Sequence, residues 1–255
     1  MENKVYRRKV VEVMEKQYVH ILDIPFINKT KNEVVNDVFH QYLKEGKKGF
    51  IVTANPEIVM QAQKDRDYFY TLSKADFIVP DGIGVVIASK MKKKPLKERV
   101  PGFELMKELL ELGHKHGLSV YIVGAKPEVL DKAVANIRAE YPGLKLAGYH
   151  HGYFNDNDGH ITEEIQRTKP DLILAALGFP RQEQWIKQNI QKVDKGVFIG
   201  VGGSIDVLAG HVKRAPVFWQ KIHLEWFYRL MQQPSRWRRM LVLPQFLIQV
   251  MRTRG

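Results

Sequence analysis

A chain of 255 residues, 44% of them hydrophobic, is long enough to bury a core in one large domain or two small ones. It has no cysteine, which excludes a disulfide framework and cysteine-ligated zinc and fits a reducing compartment. The net charge of +12 is unevenly placed: His211 to Gly255 holds nine basic residues and one acid, Glu225, so +8 falls there, and an anionic partner follows, whether nucleic acid, a phosphate-bearing substrate or an acidic membrane leaflet.

Met1 to Gln17 carries charges throughout and has no apolar h-region, so no secretory leader is expected. No window reaches the roughly 18–20 apolar residues that span a bilayer. Tyr18 to Leu22 reads as a strand, and Thr30 or Asn32 as the cap of a helix that sets Val34, Val35, Val38, Phe39 and Leu43 on one face. Phe50–Thr53 is the next strand and Glu57 to Ser73 a helix. Asp76–Pro80 is a strand, and Gly82-Ile83-Gly84 opens a helix towards Lys90. Met91 to Glu98 is a charged loop, either a solvated surface loop or a mobile flap that places Arg99 over a crevice.

Phe103 to His116 is an amphipathic helix that stops at Gly117. Ser119–Val123 runs into Gly124-Ala125-Lys126-Pro127 and a helix to Glu140; a strand–glycine–helix unit of this kind can set backbone N–H groups around a phosphate. Strands follow at Leu144–Tyr149, Asp171–Leu177 and Gly196–Val201, with helices after Gly178-Phe179-Pro180-Arg181-Gln182-Glu183 and after Gly202-Gly203-Ser204. Regular alternation of strand and helix predicts an α/β fold, Rossmann-like, with a mainly parallel sheet flanked by helices. Residues 1–209 form the expected core. Residues 210–255 form the expected basic, amphipathic, helical tail: membrane-associating, because apolar area and basic charge occur together there, with an ordinary core helix bearing a solvated basic face as the alternative.

The chain centres on two strand-to-helix turns, Thr53-Ala54-Asn55 and Pro80-Asp81-Gly82. In an open parallel sheet such turns share the crevice at the carboxyl ends of the strands. Thr53, Asn55 and Asp81 therefore project into one site, or Asn55 and Asp81 cap the helices that follow, as Asn and Asp do after strands. Asp81, on a glycine-flanked turn, is the expected general base. Arg99, Gly124, Lys126, Gly202 and Gly203 are the expected phosphate contacts.

No metal site is expected. Asp65-Arg66-Asp67 lies within a helix in this reading, where residues two apart point in different directions. Asn155-Asp156-Asn157-Asp158-Gly159 resembles a calcium loop, but counting from the glycine leaves Phe154 and Ile165 at ligand positions. Gly200-x-Gly202-Gly203 lacks the acidic ribose partner of a dinucleotide site, which disfavours an oxidoreductase. Phosphate contact alone does not account for the apolar run Met240 to Met251, which disfavours a nucleic-acid binder.

Seven short motifs, taken in order, resemble the WecG/TagA/CpsF glycosyltransferases over roughly Tyr18 to Arg239. They are Thr53-Ala54-Asn55-Pro56-Glu57, Ala75-Asp76 with Pro80-Asp81-Gly82-Ile83-Gly84, Arg99-Val100-x-Gly102, Gly178-Phe179-Pro180-Arg181-Gln182-Glu183, Gly200-Val201-Gly202-Gly203, Gly210-x-x-x-Arg214-Ala215-Pro216, and Leu224-Glu225-Trp226-Phe227-Tyr228-Arg229-Leu230 with Pro234-x-Arg236. The resemblance implies an inverting, metal-independent and cofactor-free transfer of an N-acetylmannosamine-type sugar from a UDP donor to N-acetylglucosaminyl-diphospho-undecaprenol. The branch is that of teichoic-acid linkage-unit synthesis, at the cytoplasmic face of the membrane. By the same resemblance, Asp81 takes the proton from the acceptor C4 hydroxyl, and Thr53 and Asn55 shape the pocket. Arg99 holds diphosphate charge, and Gln182 contacts the donor. Arg214, Arg229, Arg236 and Arg239 serve the membrane and the acceptor diphosphate. The donor sugar (N-acetylmannosamine, its uronic acid, glucose or glucuronic acid) is not legible in the sequence. Nor is the oligomeric state, and a homo-oligomer stays among the expected partners.

Overall fold

A computed structural model describes residues 17–155, 159–222, 224–232, 234 and 237–253. Two short strands, β1 (Tyr18–Ile21) and β2 (Ile24–Ile27), pair as an antiparallel hairpin. The main sheet has six parallel strands: β3 (Lys48–Ala54), β4 (Phe77–Pro80), β5 (Ser119–Gly124), β6 (Lys145–His150), β7 (Leu172–Ala176) and β8 (Gly196–Gly200). Their order across the sheet is β4-β3-β8-β7-β5-β6. Strands β4, β7 and β8 read as unbroken apolar runs, and β3 does from Gly49 to Val52, because both their faces are covered.

Side chains alternate between the faces. On β3, Phe50, Val52 and Ala54 join one apolar cluster, while Ile51 joins the other. The second cluster takes helices α1 (Lys31–Val38), α5 (Gly102–His116), α6 (Pro127–Glu140) and α9 (Ser204–Leu208). The first takes α2 (Pro56–Lys64), α3 (Arg66–Leu72), α4 (Ile83–Met91), α7 (His160–Thr168) and α8 (Arg181–Asn189).

Local chemistry sets the helix ends. Thr30 and Glu33 form a reciprocal capping box at the start of α1. Gly117 closes α5 in the left-handed conformation at φ 63°. The helix expected from Glu57 to Ser73 is two helices. Asp65 is extended at φ −128° and accepts the Tyr68 N–H as the cap of α3. Asp65 and Asp67 therefore serve a helix start, where negative charge is favourable. The turn of the Asn155–Gly159 motif lies outside the described residues between Asn155 and Gly159.

The chain beyond Ala209 folds back onto the core. It forms α10 (Val217–Lys221), α11 (Glu225–Gln232), α12 (Trp237–Met240) and α13 (Val242–Arg252). Phe246 and Val250, one turn apart on α13, are buried against α2 and α4. The opposite side of this terminal helix is also apolar, with Leu241, Ile248 and Met251 exposed. Among the described residues, no helix is long and apolar enough to cross a membrane.

Candidate active site

The carboxyl ends of β3, β4, β7 and β8 and the returning tail enclose a cleft of about 300 Å³. Thr53, Asn55, Asp81, Arg99, Gln182, Gly202, Gly203, Arg214 and Arg239 all line it. Arg236 and the side chain of Arg229 lie outside the described residues.

The two polar turns behave differently. Asn55 caps α2, its Oδ1 accepting the Ile58 N–H at 3.1 Å, so the capping expectation holds there. Asp81 does not cap the helix that follows it; that cap is Gly82, with no side-chain bond. Instead Asp81 Oδ1 accepts the N–H of Gly102, at 3.0 Å. Gly102 is the first residue of α5, so the carboxylate sits at the positive end of a 15-residue helix, which favours a negative charge at that position. The Asp81 backbone N–H bonds Ala54 O at 3.0 Å, which fixes the turn on β3.

Gly102 is a glycine for packing reasons. A Cβ there would lie 3.0 Å from Thr53 Oγ1. Thr53 is 9% exposed, and its hydroxyl donates to Gly200 O at 3.1 Å. Thr53 thus ties the end of β3 to the end of β8.

Arg99 reaches the cleft from a pinned loop. Leu96 is buried and its N–H donates to Ser89 Oγ at 3.0 Å, while the Val100 N–H bonds Pro80 O at 2.8 Å. Met91–Glu98 is therefore an anchored connection rather than a mobile flap. Arg99 Nη2 donates to Glu225 Oε2 at 2.6 Å. Arg214 bonds Glu104 Oε1 at 2.6 Å and lies 3.7 Å from Glu225 Oε1. Arg239 Nε approaches Glu57 Oε2 at 3.9 Å.

Gly124 and Lys126 do not line the cleft. A Cβ on Gly124 would meet the Ala176 carbonyl at 2.3 Å, and its φ is +124°. The close approach of β5 to β7 accounts for this glycine.

Gln182 is 4% exposed at the cleft wall. Its Oε1 accepts the Gly202 N–H at 3.1 Å, and its Nε2 donates to Glu183 Oε1 at 2.7 Å. Glu183 is fully buried, and its other oxygen accepts the Tyr68 hydroxyl at 3.1 Å. Burial pushes this carboxyl up to about 7, against the opposing pull of the bonds from Gln182, its own backbone and Tyr68. The same burial, with Glu183 nearby, raises the Tyr68 hydroxyl. Glu183 enters the sequence reading only as a motif letter. The overlooked signal is a charged residue on the face of α8 that also buries Gln182, Trp185, Ile186 and Asn189.

A family model for glycosyl transferases of the WecG/TagA/CpsF family matches residues 19–255. The chain belongs to that family. It is similar to proteins named N-acetylglucosaminyldiphosphoundecaprenol N-acetyl-beta-D-mannosaminyltransferase. The Bacillus subtilis (strain 168) relative is 40% identical over 239 residues, 94% of this chain and 92% of its own length. That of Staphylococcus aureus (strain MW2) is 38% identical over 233 residues, 91% of each. The cleft of this glycosyltransferase-family member joins three carboxylates, Glu57, Asp81 and Glu225, to Arg99, Arg214 and Arg239; Glu225 and Glu57 face guanidinium groups, while Asp81 takes the Gly102 N–H.

Proposed function

We propose that this chain transfers N-acetylmannosamine from UDP-N-acetylmannosamine to the C4 hydroxyl of N-acetylglucosaminyl-diphospho-undecaprenol, with inversion. Its role is wall teichoic acid linkage-unit synthesis. The observation that carries the reading is Asp81, a carboxylate lining the cleft, with Arg99, Arg214 and Arg239 around the same space. The names and coverage of the relatives supply the substrates.

In this mechanism the Asp81 carboxylate accepts the proton of the acceptor hydroxyl. The hydroxyl oxygen forms its bond to the anomeric carbon from the face opposite the diphosphate. The bond from that carbon to the diphosphate oxygen breaks, and its electron pair leaves with UDP. Charge gathers on the diphosphate, where guanidinium groups and the backbone N–H of Gly203 stabilise it. No step needs a metal or an organic cofactor.

Residues 210–255 act as the membrane-facing unit on the core of residues 1–209. They hold the enzyme peripherally on the inner face of the cell membrane, where the lipid acceptor lies. The exposed Val217, Phe218, Trp237, Leu241 and Met251 and the +8 of the segment support this placement.

The test is a screen of UDP-sugars with a short-chain lipid-diphosphate acceptor. UDP-N-acetylmannosamine is the donor expected to give product. Transfer from another UDP-sugar alone would overturn the donor and keep the class, and no transfer from any would overturn both.

A further inference from the structure

Behind the cleft wall lies a chain of hydrogen bonds that, among the described residues, holds no cation. Tyr68 on α3 donates to Glu183, Glu183 accepts Gln182 Nε2, and Gln182 Oε1 accepts the Gly202 N–H. The end of β8 is bared to admit it: a Cβ on Gly200 would lie 2.6 Å from Gln182 Nε2 and 3.2 Å from Glu183 Oε1. Gly200 O in turn takes the Thr53 hydroxyl. A buried carboxylate without a cationic partner is costly, and an apolar residue of similar size avoids that cost. Its presence calls for a role.

The donor and acceptor pattern supplies one. An amide has one end that accepts and one that donates, and an ionised carboxylate only accepts. An ionised Glu183 therefore draws Gln182 Nε2 towards itself and leaves Oε1 for the Gly202 N–H. A protonated Glu183 carries an O–H that needs an acceptor, and the chain offers two: the Tyr68 hydroxyl oxygen, once its own O–H rotates away, or Gln182 Oε1, once the amide turns. The second course sets Nε2 against the Gly202 N–H, donor against donor, and displaces the turn, so the ionised form alone holds the amide in a single orientation.

We infer that Glu183 is a positioning residue for the nucleotide-sugar site: through the Gln182 amide it holds the Gly202–Gly203 turn in the form that lines the cleft, and its carboxylate form is the one that fixes the amide in that orientation. The inference rests on the reading of the cleft as a UDP-sugar site. Glu183 acts from behind Gln182 and touches no substrate. Among the described residues Tyr68 is the titratable side chain bonded to it, and Asp65, on the cap of the same helix, acts on Tyr68.

The experiment is calorimetric titration with UDP-N-acetylmannosamine, without acceptor, on either side of pH 7, the value to which burial pushes Glu183. The diphosphate diester of this probe keeps its charge throughout. Wild-type protein is expected to bind the probe and to lose affinity as pH falls through that point. Glu183→Gln should bind about tenfold more weakly at the alkaline end, a loss on the scale of one hydrogen bond, and show no step. Tyr68→Phe removes a bond that favours the ionised form, so its step should move to higher pH. This shift is one that a merely structural role does not produce, and it decides the matter if Glu183→Gln fails to fold. Wild-type binding with no step, or an unmoved step in Tyr68→Phe, overturns the inference and leaves the function standing. Wild-type protein that binds no probe at any pH overturns the function and the inference together.

Discussion

Arg99 and Glu225 are 126 residues apart in the chain and joined at 2.6 Å. The pair is largely buried, with side chains 12% and 20% exposed, and Arg214 stands 3.7 Å from the same carboxylate. Glu225 is the one acid between His211 and Gly255, and it sits where the tail meets the core. Glu225→Gln should loosen that junction by about 1–3 kcal/mol, the cost of leaving a partly buried guanidinium short of its charged partner. Hydrogen exchange should speed up across residues 217–252 and stay unchanged in β3 and β8. Equal exchange in the tail would show that other contacts hold it.

Asp81→Asn tests the base directly. Asparagine keeps an oxygen that can accept the Gly102 N–H, so the start of α5 is preserved. Transfer to a lipid-diphosphate acceptor should fall by about 10²–10⁴-fold, the usual contribution of a general base. UDP-N-acetylmannosamine binding should hold, because the carboxylate acts on the acceptor. Wild-type turnover in the variant removes Asp81 from the mechanism.

Gly124→Ala separates a packing glycine from a phosphate-binding one. The added methyl meets the Ala176 carbonyl at 2.3 Å in a backbone with φ +124°. Thermal stability should drop by about 1–3 kcal/mol, the range for overpacking a well-filled interior. The variant that remains folded should bind the UDP-sugar as wild type does, because Gly124 does not line the cleft. A selective loss of binding in a stable protein would restore it to the site.

The inner main-sheet strands were legible because strands buried on both faces leave apolar runs, as Phe50-Ile51-Val52 and Leu172-Ile173-Leu174 do. The cleft was legible in outline for a related reason: strand ends in one parallel sheet share an edge, so Thr53, Asn55 and Asp81 had to be neighbours. The break at Asp65 was not legible, since an aspartate between two polar residues suits a helix surface as well as a cap. The partner of Asp81 was not legible either. Its bond to Gly102 depends on how α5 docks, and no local pattern states that. The same holds for α13. Met240 to Met251 reads in the sequence as an apolar run, and only the fold decides that α2 and α4 cover its Phe246 and Val250.

Glu183 should leave a mark on stability as well as on binding. Its folded value of about 7 lies above the ordinary 4.5, so between them the folded state keeps a proton that the unfolded state has released. The contribution of this group is whole below the lower value, shrinks as pH rises, and is lost above the upper one. The span corresponds to roughly 3 kcal/mol. Urea unfolding of wild type should therefore show stability falling across that window, and Glu183→Gln should flatten the fall. An unaltered slope in the variant would assign the pH dependence elsewhere. A residue that weakens the protein at the pH where its carboxylate orders the cleft wall is a trade of stability for function.

The terminal helix carries apolar residues on two sides, and the core covers one of them. Phe246 and Val250 are spent on α2 and α4, whereas Leu241, Ile248 and Met251 stay exposed at 50%, 43% and 64%. Trp237, at 52%, lies just before them, with arginines on either side of it in sequence. An apolar face beside basic charge suits the boundary between headgroups and acyl chains. Replacing Trp237, Leu241 and Ile248 together with serine should leave the fold intact, since none of the three is buried. Co-sedimentation with anionic vesicles should fall at least about tenfold, as the lost apolar area is on the scale of several buried methylenes each. Binding by wild type should weaken with added salt, because the basic residues contribute through a screened attraction. Vesicle binding that survives the triple replacement, or that ignores salt, would mean that this face of the tail does not meet the membrane.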